Sequence, residues 1–242
     1  MNPDVVIALL RHAEYQQPLE VPSAMLPYPL TTSGFAQAES AAREILRFAR
    51  DWQLELVDVI DSSHMLRAYQ TASRIGSMLA SAVNKSFEVA EFDALAERSV
   101  GAAANLTVTE IEQLLRVDPR YELPPEGWKA DRHYRLPFQG AESLVAAGMR
   151  VATHIEATYG HCAVSGQRNL KIIVGHGASI RHAAVQLGIL SSDEVASLSM
   201  FHASPIYLTR SNSGDGEEAQ WRKLQGDWRV RTSPANNDEF SR

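Results

Sequence analysis

Arg11, His12, Arg67 and His176 are the residues whose types and positions could do chemistry together in this sequence. Arg11 and His12 follow the apolar run Val5-Val6-Ile7-Ala8-Leu9-Leu10, which reads as a short buried strand. His176 follows a second such run, Leu170-Lys171-Ile172-Ile173-Val174, and precedes a helical pattern with Ile180, Ala183, Ala184 and Leu187. Arg67 stands in the first turns of a helix just past a third strand, Leu56 to Asp61. Ligands of open α/β sheets collect at the carboxyl ends of the strands, so a parallel sheet would bring all four groups to one edge. An Arg-His pair at a strand end says little alone, and Arg67 read singly is a charge on a helix surface. Together, two guanidinium groups, one cationic imidazole and the N–H groups of a helix N-terminus suit a phosphoryl dianion. Charge-assisted bonds of this kind contribute roughly 1.5–3 kcal/mol each. The other imidazole, kept neutral by the Arg charges, can attack phosphorus. No metal is required, because the guanidinium groups stabilise the transferring charge. A leaving alkoxide needs a proton that a carboxylic acid can deliver, and this reasoning leaves Glu91, Glu97 and Glu142 all open for that task.

The elements that must position these groups alternate along the chain, which is an α/β pattern. Residues 15–30 hold Pro18, Pro22, Pro27 and Pro29 and form a loop. A helix then starts at Thr31-Thr32-Ser33-Gly34, with Ser33 or Thr32 as its cap and an apolar stripe of Phe35, Ala38, Ala42, Ile45, Leu46 and Ala49. A helix runs from the Arg67 region to about Ala82, and a short strand covers Ser86 to Glu91. Thr107 to Leu115 is helical, with Glu110 placed to complete a capping box. The stretch from Asp118 to Gly140 is irregular, mixing four prolines with Tyr121, Trp128, Tyr134 and basic residues. Such a stretch is either a functional entrance or a solvated insertion. A long helix spans Ala141 to about Tyr159, and strands at Ser204–Arg210 and Gln220–Leu224 flank a turn at Asn212–Gly216.

The chain has 242 residues, 45% of them hydrophobic and 21% charged, as in ordinary globular proteins. Its net charge of −6 argues against nucleic acid or an anionic membrane as partner, so an anionic substrate must be drawn by a local basic cluster. Cys162 stands alone, which fits a reducing compartment, and there is neither an apolar run of membrane-spanning length nor a basic region before the first strand. A cytoplasmic location is expected. Exposed aromatics in the irregular stretch would permit a homodimer.

Several segments fit one known pattern in order. They are Arg11-His12, with Ala13 where Gly is usual; Leu30-Thr31-Thr32-Ser33-Gly34-Phe35-Ala36-Gln37-Ala38; and Ser62-Ser63 through Arg67-Ala68-Tyr69-Gln70-Thr71-Ala72. Leu95-Ala96-Glu97-Arg98-Ser99-Val100-Gly101, Gly140-Ala141-Glu142-Ser143-Leu144, Val174-Gly175-His176-Gly177 with Ile180-Arg181, and Ala203-Ser204 through Trp221 follow. Over nearly its whole length the chain resembles the histidine phosphatase superfamily, of the phosphoglycerate-mutase-like, branch 1 type. The resemblance implies a three-layer sandwich with a mostly parallel central sheet flanked by helices. It implies a single domain over 1–242, with 102–140 as a lid or insertion and 233–242 a frayed tail. It assigns His12 as the nucleophile that becomes phosphohistidine. Arg11, Arg67 and His176 bind the phosphoryl group, and Glu97 serves as proton donor and then base. Gly177 joins the phosphoryl site and Arg98 is a candidate contact for a second substrate group. No cofactor and no metal is expected.

The resemblance covers both mutases and phosphatases. The mutase pattern Arg-His-Gly-x-x-x-x-Asn has Pro18 at its Asn position, the Lys expected after the acid segment aligns with Val108, and Pro119 replaces one Arg of the lid pair. The expectation is a metal-independent phosphomonoesterase acting on a small phosphorylated metabolite. Phosphoglycerate-mutase-type transfer is the first alternative, and a pocket that binds a phosphorylated ligand without turnover is the second. A two-His metal site is disfavoured by the neighbouring Arg charges and the lack of short ligand spacing. His64, His133, His161, His182 and His202 receive no role, and Arg181 is expected to tie down local structure.

Overall fold

The computed structural model describes residues 3–18, 21–22, 25–164, 166–211 and 219–231. At the centre of the sheet is β1 (Val5–Arg11), whose Val6, Ala8 and Leu10 join one core and Val5, Ile7 and Leu9 the other. Burial on both faces is why this strand is an unbroken apolar run. Parallel to it lies β5 (Asn169–Gly175), followed outward by β3 (Val59–Ser62) and β4 (Glu88–Glu91), also parallel. On the other side β7 (Ile206–Arg210) runs antiparallel to β1, and β8 (Trp221–Gln225) antiparallel to β7.

Helices α1 (Thr32–Asp51) and α2 (Leu66–Val83) cover the first core, and α4 (Leu144–Val164) and α5 (Gly177–Gln186) the second. The expected three-layer sandwich with a mostly parallel sheet is the observed architecture. A third apolar cluster lies outside the layers, where α3 (Val108–Val117) packs Ile111 and Leu115 with Trp128 and Leu136 of the irregular stretch. Thr107 and Glu110 form the expected capping box at its start. No helix among the described residues is long and apolar enough to cross a membrane.

Local expectations need correction at several points. The cap of α1 is Thr31, whose hydroxyl accepts from the Gly34 N–H at 2.9 Å. Phe35 is exposed, and Gly34 instead faces inward, against the Glu14 backbone. The expected strand at 56–61 is two strands, β2 (Glu55–Leu56) and β3, both on β5. Between the paired positions Leu56/Leu170 and Asp61/Ile173, five steps of one chain meet three of the other, so residues bulge out between them. A four-residue helix α6 (Glu194–Ser197) and the antiparallel pair β6 (Leu198–Met200) and β9 (Trp228–Val230) were not foreseen. The turn at 212–216 and the tail from 233 lie outside the described residues.

Candidate active site

Strand register assembles the site. Arg11 lies opposite Gly175 on β5, and Ser62 opposite Val174 on its other side. The ladders run on past the strands: the His12 N–H donates to Gly175 O at 2.9 Å and the Ser63 N–H to Val174 O at 3.0 Å. The His12 and His176 ring centroids are consequently 5.1 Å apart. Arg67, one residue into α2, is fully buried rather than a helix-surface charge.

Hydrogen bonds tie the buried rings and guanidinium groups to one another and to backbone carbonyls. Arg67 donates from Nη1 to Leu26 O at 3.0 Å and from Nη2 to His176 Nδ1 at 3.2 Å, with its guanidinium 4.7 Å from the centre of the Tyr15 ring. Guanidinium groups only donate, so His176 carries its proton on Nε2, which donates to Ser63 Oγ at 2.9 Å. In His12, Nδ1 is 2.7 Å from Ala13 O. A carbonyl only accepts, so Nδ1 holds the proton and Nε2 keeps its lone pair. Burial first, and then the charges of Arg67 and Arg11, push both imidazoles well below their ordinary pKa. This corrects the expectation of one cationic and one neutral ring: both are neutral, because both are dehydrated beside the same fixed cations. Arg11 donates from Nη1 to Met200 O at 3.2 Å. Gly177 gives it passage, since a Cβ there would lie 3.2 Å from Arg11 Cδ.

Geometry also separates the three candidate acids. Glu91 is exposed on an edge strand, and Glu142 is paired with Arg150 at 2.7 Å. The Glu97 carboxylate instead accepts from the N–H groups of Ala178 (3.2 Å) and Ser179 (3.0 Å) in the first turn of α5, and of Arg98 (2.9 Å). A carboxylate at a helix N-terminus is favoured by the free donors and the dipole there. These two helix N–H groups are therefore occupied, which corrects the expectation that they are open for phosphate. Arg98 is buried beside them, its guanidinium 5.9 Å from the Trp128 ring centre.

Sequence reasoning missed His202. Its ring centroid is 5.6 Å from that of His12. Burial, then the charges of Arg11 and Arg229, hold its pKa down to about 2. It arrives there because β7 runs antiparallel to β1, so the start of β7 meets the end of β1; the Ala203 N–H donates to Arg11 O at 3.0 Å. Ser63, Tyr15 and Thr71 were also unassigned; the Thr71 hydroxyl accepts from the Ala13 N–H at 2.9 Å and donates to Arg67 O at 2.7 Å, joining the two motifs. Among the described residues no three His, Cys, Asp or Glu side chains group in a way that would hold a metal ion.

Comparison with known proteins agrees with this geometry. Residues 7–222 match the profile of the histidine phosphatase superfamily (branch 1). The chain is 29% identical over 188 residues to a 2,3-bisphosphoglycerate-dependent phosphoglycerate mutase of Parvibaculum lavamentivorans, covering 76% of this chain and 80% of the relative. It is 31% identical over 153 residues to phosphoserine phosphatase 1 of Hydrogenobacter thermophilus, covering 63% of each. The solved structure of a mycobacterial glucosyl-3-phosphoglycerate phosphatase shares the fold with a TM-score of 0.65 at 22% identity, over 90% of this chain and 96% of that one.

Proposed function

Since this chain belongs to the histidine phosphatase superfamily, branch 1, we propose that it is a cytoplasmic, metal-independent phosphomonoesterase that works through a phosphohistidine on small phosphorylated metabolites. One observation carries the reading: His12 donates a hydrogen bond from Nδ1–H to Ala13 O, which leaves the lone pair on Nε2 of a ring that stands beside Arg67, His176 and Arg11. In the first step Nε2 attacks phosphorus and the P–O bond to the alcohol breaks. Glu97, protonated, gives its proton to the departing alkoxide, and the resulting carboxylate is received by the Ala178 and Ser179 N–H groups. In the second step Glu97 takes a proton from water as its oxygen attacks phosphorus, and the N–P bond breaks. Arg11 and Arg67 hold the phosphoryl oxygens throughout, supplying the charge a metal supplies elsewhere.

The test is phosphate release from 4-nitrophenyl phosphate with a chelator present, together with trapping, by an alkaline detergent quench, of a phosphoenzyme that is labile to acid and stable to base. His12→Asn should remove both signals. Folded wild-type protein that releases no phosphate would instead be a binding module. A second reading, mutase-type transfer, is favoured by the likeness to the Parvibaculum mutase. Against it, Val108, aligned where the mutase Lys is expected, packs on the apolar cluster around Ile111. Interconversion of phosphoglycerates far faster than their hydrolysis would establish the mutase.

A further inference from the structure

Resting on the phosphomonoesterase reading, we propose that Arg150, seated on Glu142, is a positioning residue that fixes where the Glu97 carboxyl meets the leaving oxygen. Glu97 stands on neither a helix nor a strand. The chain leaves β4 at Glu91, makes a short 3-10 turn over Asp93–Leu95, and carries Glu97 in the irregular run that follows. A side chain on such a run is placed only as well as its supports place it. Proton donation to a departing oxygen depends on that placement, because a displacement of about 1 Å can cost ~10²-fold in rate.

Two helices hold this run from opposite ends. The carboxylate of Glu97 is held by α5, through the Ala178 and Ser179 N–H groups. The backbone is held by α4. Arg150 of that helix donates from Nη1 to Ala94 O at 2.9 Å, Ala96 O at 3.0 Å and Asp93 O at 3.3 Å, and its Nη2 lies 3.5 Å from Glu97 O. Glu142 meets the rest of the fork, Oε1 accepting from Nε at 3.0 Å and Oε2 from Nη2 at 2.7 Å. Oε2 also accepts from the Ser99 N–H at 3.1 Å, and the Glu142 N–H donates to Ser99 O at 2.9 Å, so the pair grips the chain on both sides of Glu97. Every partner of Arg150 among the described residues is Glu142 or a carbonyl of the segment that carries Glu97. Burial raises the Glu142 pKa, but the bonds from Arg150 and the Ser99 N–H outweigh it and keep the carboxyl ionised. The clamp is therefore an ion pair, and it steadies the acid while adding little net charge beside it. The two holds keep one spacing because α4 and α5 touch at Gly148, where a Cβ would lie 2.5 Å from the His182 backbone.

The experiment compares kcat/KM for 4-nitrophenyl phosphate, whose nitrophenolate departs without a proton, with that for benzyl phosphate, whose alkoxide needs one. Glu97→Gln sets the scale and should raise the ratio of the first to the second by roughly 10²-fold or more. Arg150→Lys keeps the charge but cannot reach the carbonyls and Glu142 together. It should raise the same ratio roughly tenfold, part of the cost of a misplaced acid, and Glu142→Gln should move it in the same direction. Because each readout is a ratio within one protein sample, loss of folded protein cancels. Added to Glu97→Gln, Arg150→Lys should raise the ratio no further, since no acid is left to place. A wild-type ratio in both Arg150→Lys and Glu142→Gln, with Glu97→Gln raising it, would overturn the positioning role alone. So would a double variant in which the two effects multiply. An unmoved ratio in Glu97→Gln would remove the acid and this proposal with it, leaving the phosphatase reading standing. A wild type that hydrolyses neither ester would defeat both.

Discussion

Acidification should destabilise this fold early and steeply, because its buried imidazoles are neutral. His202 is held down to about 2 and His182 to about 4, against an ordinary value of 6.5. In the unfolded chain both bind protons as the pH falls through 6.5, whereas the folded protein binds them only below those depressed values. The stability from neutral burial is thus fully present above the ordinary value and is lost between it and the folded pKa. At about pH 5, some 1.5 units below the unfolded value, each ring costs about 2 kcal/mol at ~1.4 kcal/mol per unit. The two together remove about 4 kcal/mol, a large share of the roughly 5–15 kcal/mol that stabilises a typical domain. His12 and His176 are shifted the same way and add to it. Asp61 does not contribute in this window, since its carboxyl is shifted below 3.8 and titrates at lower pH. The assay is urea unfolding at a series of pH values between about 7.5 and 5. His202→Asn, which removes one titrating ring, should lower the slope of stability against pH by roughly 1 kcal/mol per unit. An unchanged slope in that variant, or a wild type whose stability holds level down to pH 5, would refute the assignment of a buried neutral ring.

Other outcomes follow from single contacts. Gly34→Ala puts a Cβ 2.0 Å from the Glu14 carbonyl oxygen, a backbone atom that cannot swing away; thermal unfolding should show a loss of about 2–3 kcal/mol or more. Asp61→Asn leaves Lys171, now 2.6 Å from the Asp61 carboxylate and buried, without its counter-charge; denaturant titration should show a loss of about 3–5 kcal/mol. Arg67→Lys cannot reach Leu26 O and His176 Nδ1 together as the guanidinium does; kcat/KM for 4-nitrophenyl phosphate should fall about a hundredfold or more, and wild-type turnover in the folded variant would count against the proposed role.

The sheet and its loaded edge were legible because they rest on local signals. Unbroken apolar runs ending at Arg11-His12 and Gly175-His176 state both burial and the strand end, and parallel pairing does the rest. His202 was not legible, because its placement depends on the direction of β7, and a run such as Ile206 to Arg210 reads alike in either sense. Phe35 misled for a related reason. Its helical spacing is correct, and Ala38, Ala42, Ile45 and Ala49 of the same stripe are buried, but at the start of the helix Gly34 makes the close contact and Phe35 is left outside. The protonation states were out of reach too. That two rings should both be neutral follows from their shared dehydration beside Arg67, a fact of packing that no spacing records.

The same packing explains why so many polar groups are buried at one end of an otherwise apolar sandwich. A buried guanidinium such as that of Arg67 is costly unless its donors are met, and Leu26 O and the neutral imidazole of His176 each meet one of them. A carboxylate would cancel the charge and close the site to an anion. Carbonyl and imidazole acceptors take up donors without adding a negative charge. The carboxylate that does approach, Glu97, is held by the backbone N–H groups of Arg98 and of α5. The arrangement therefore gathers guanidinium groups and imidazoles at the strand ends, and a phosphoryl dianion is the kind of group that would complete it.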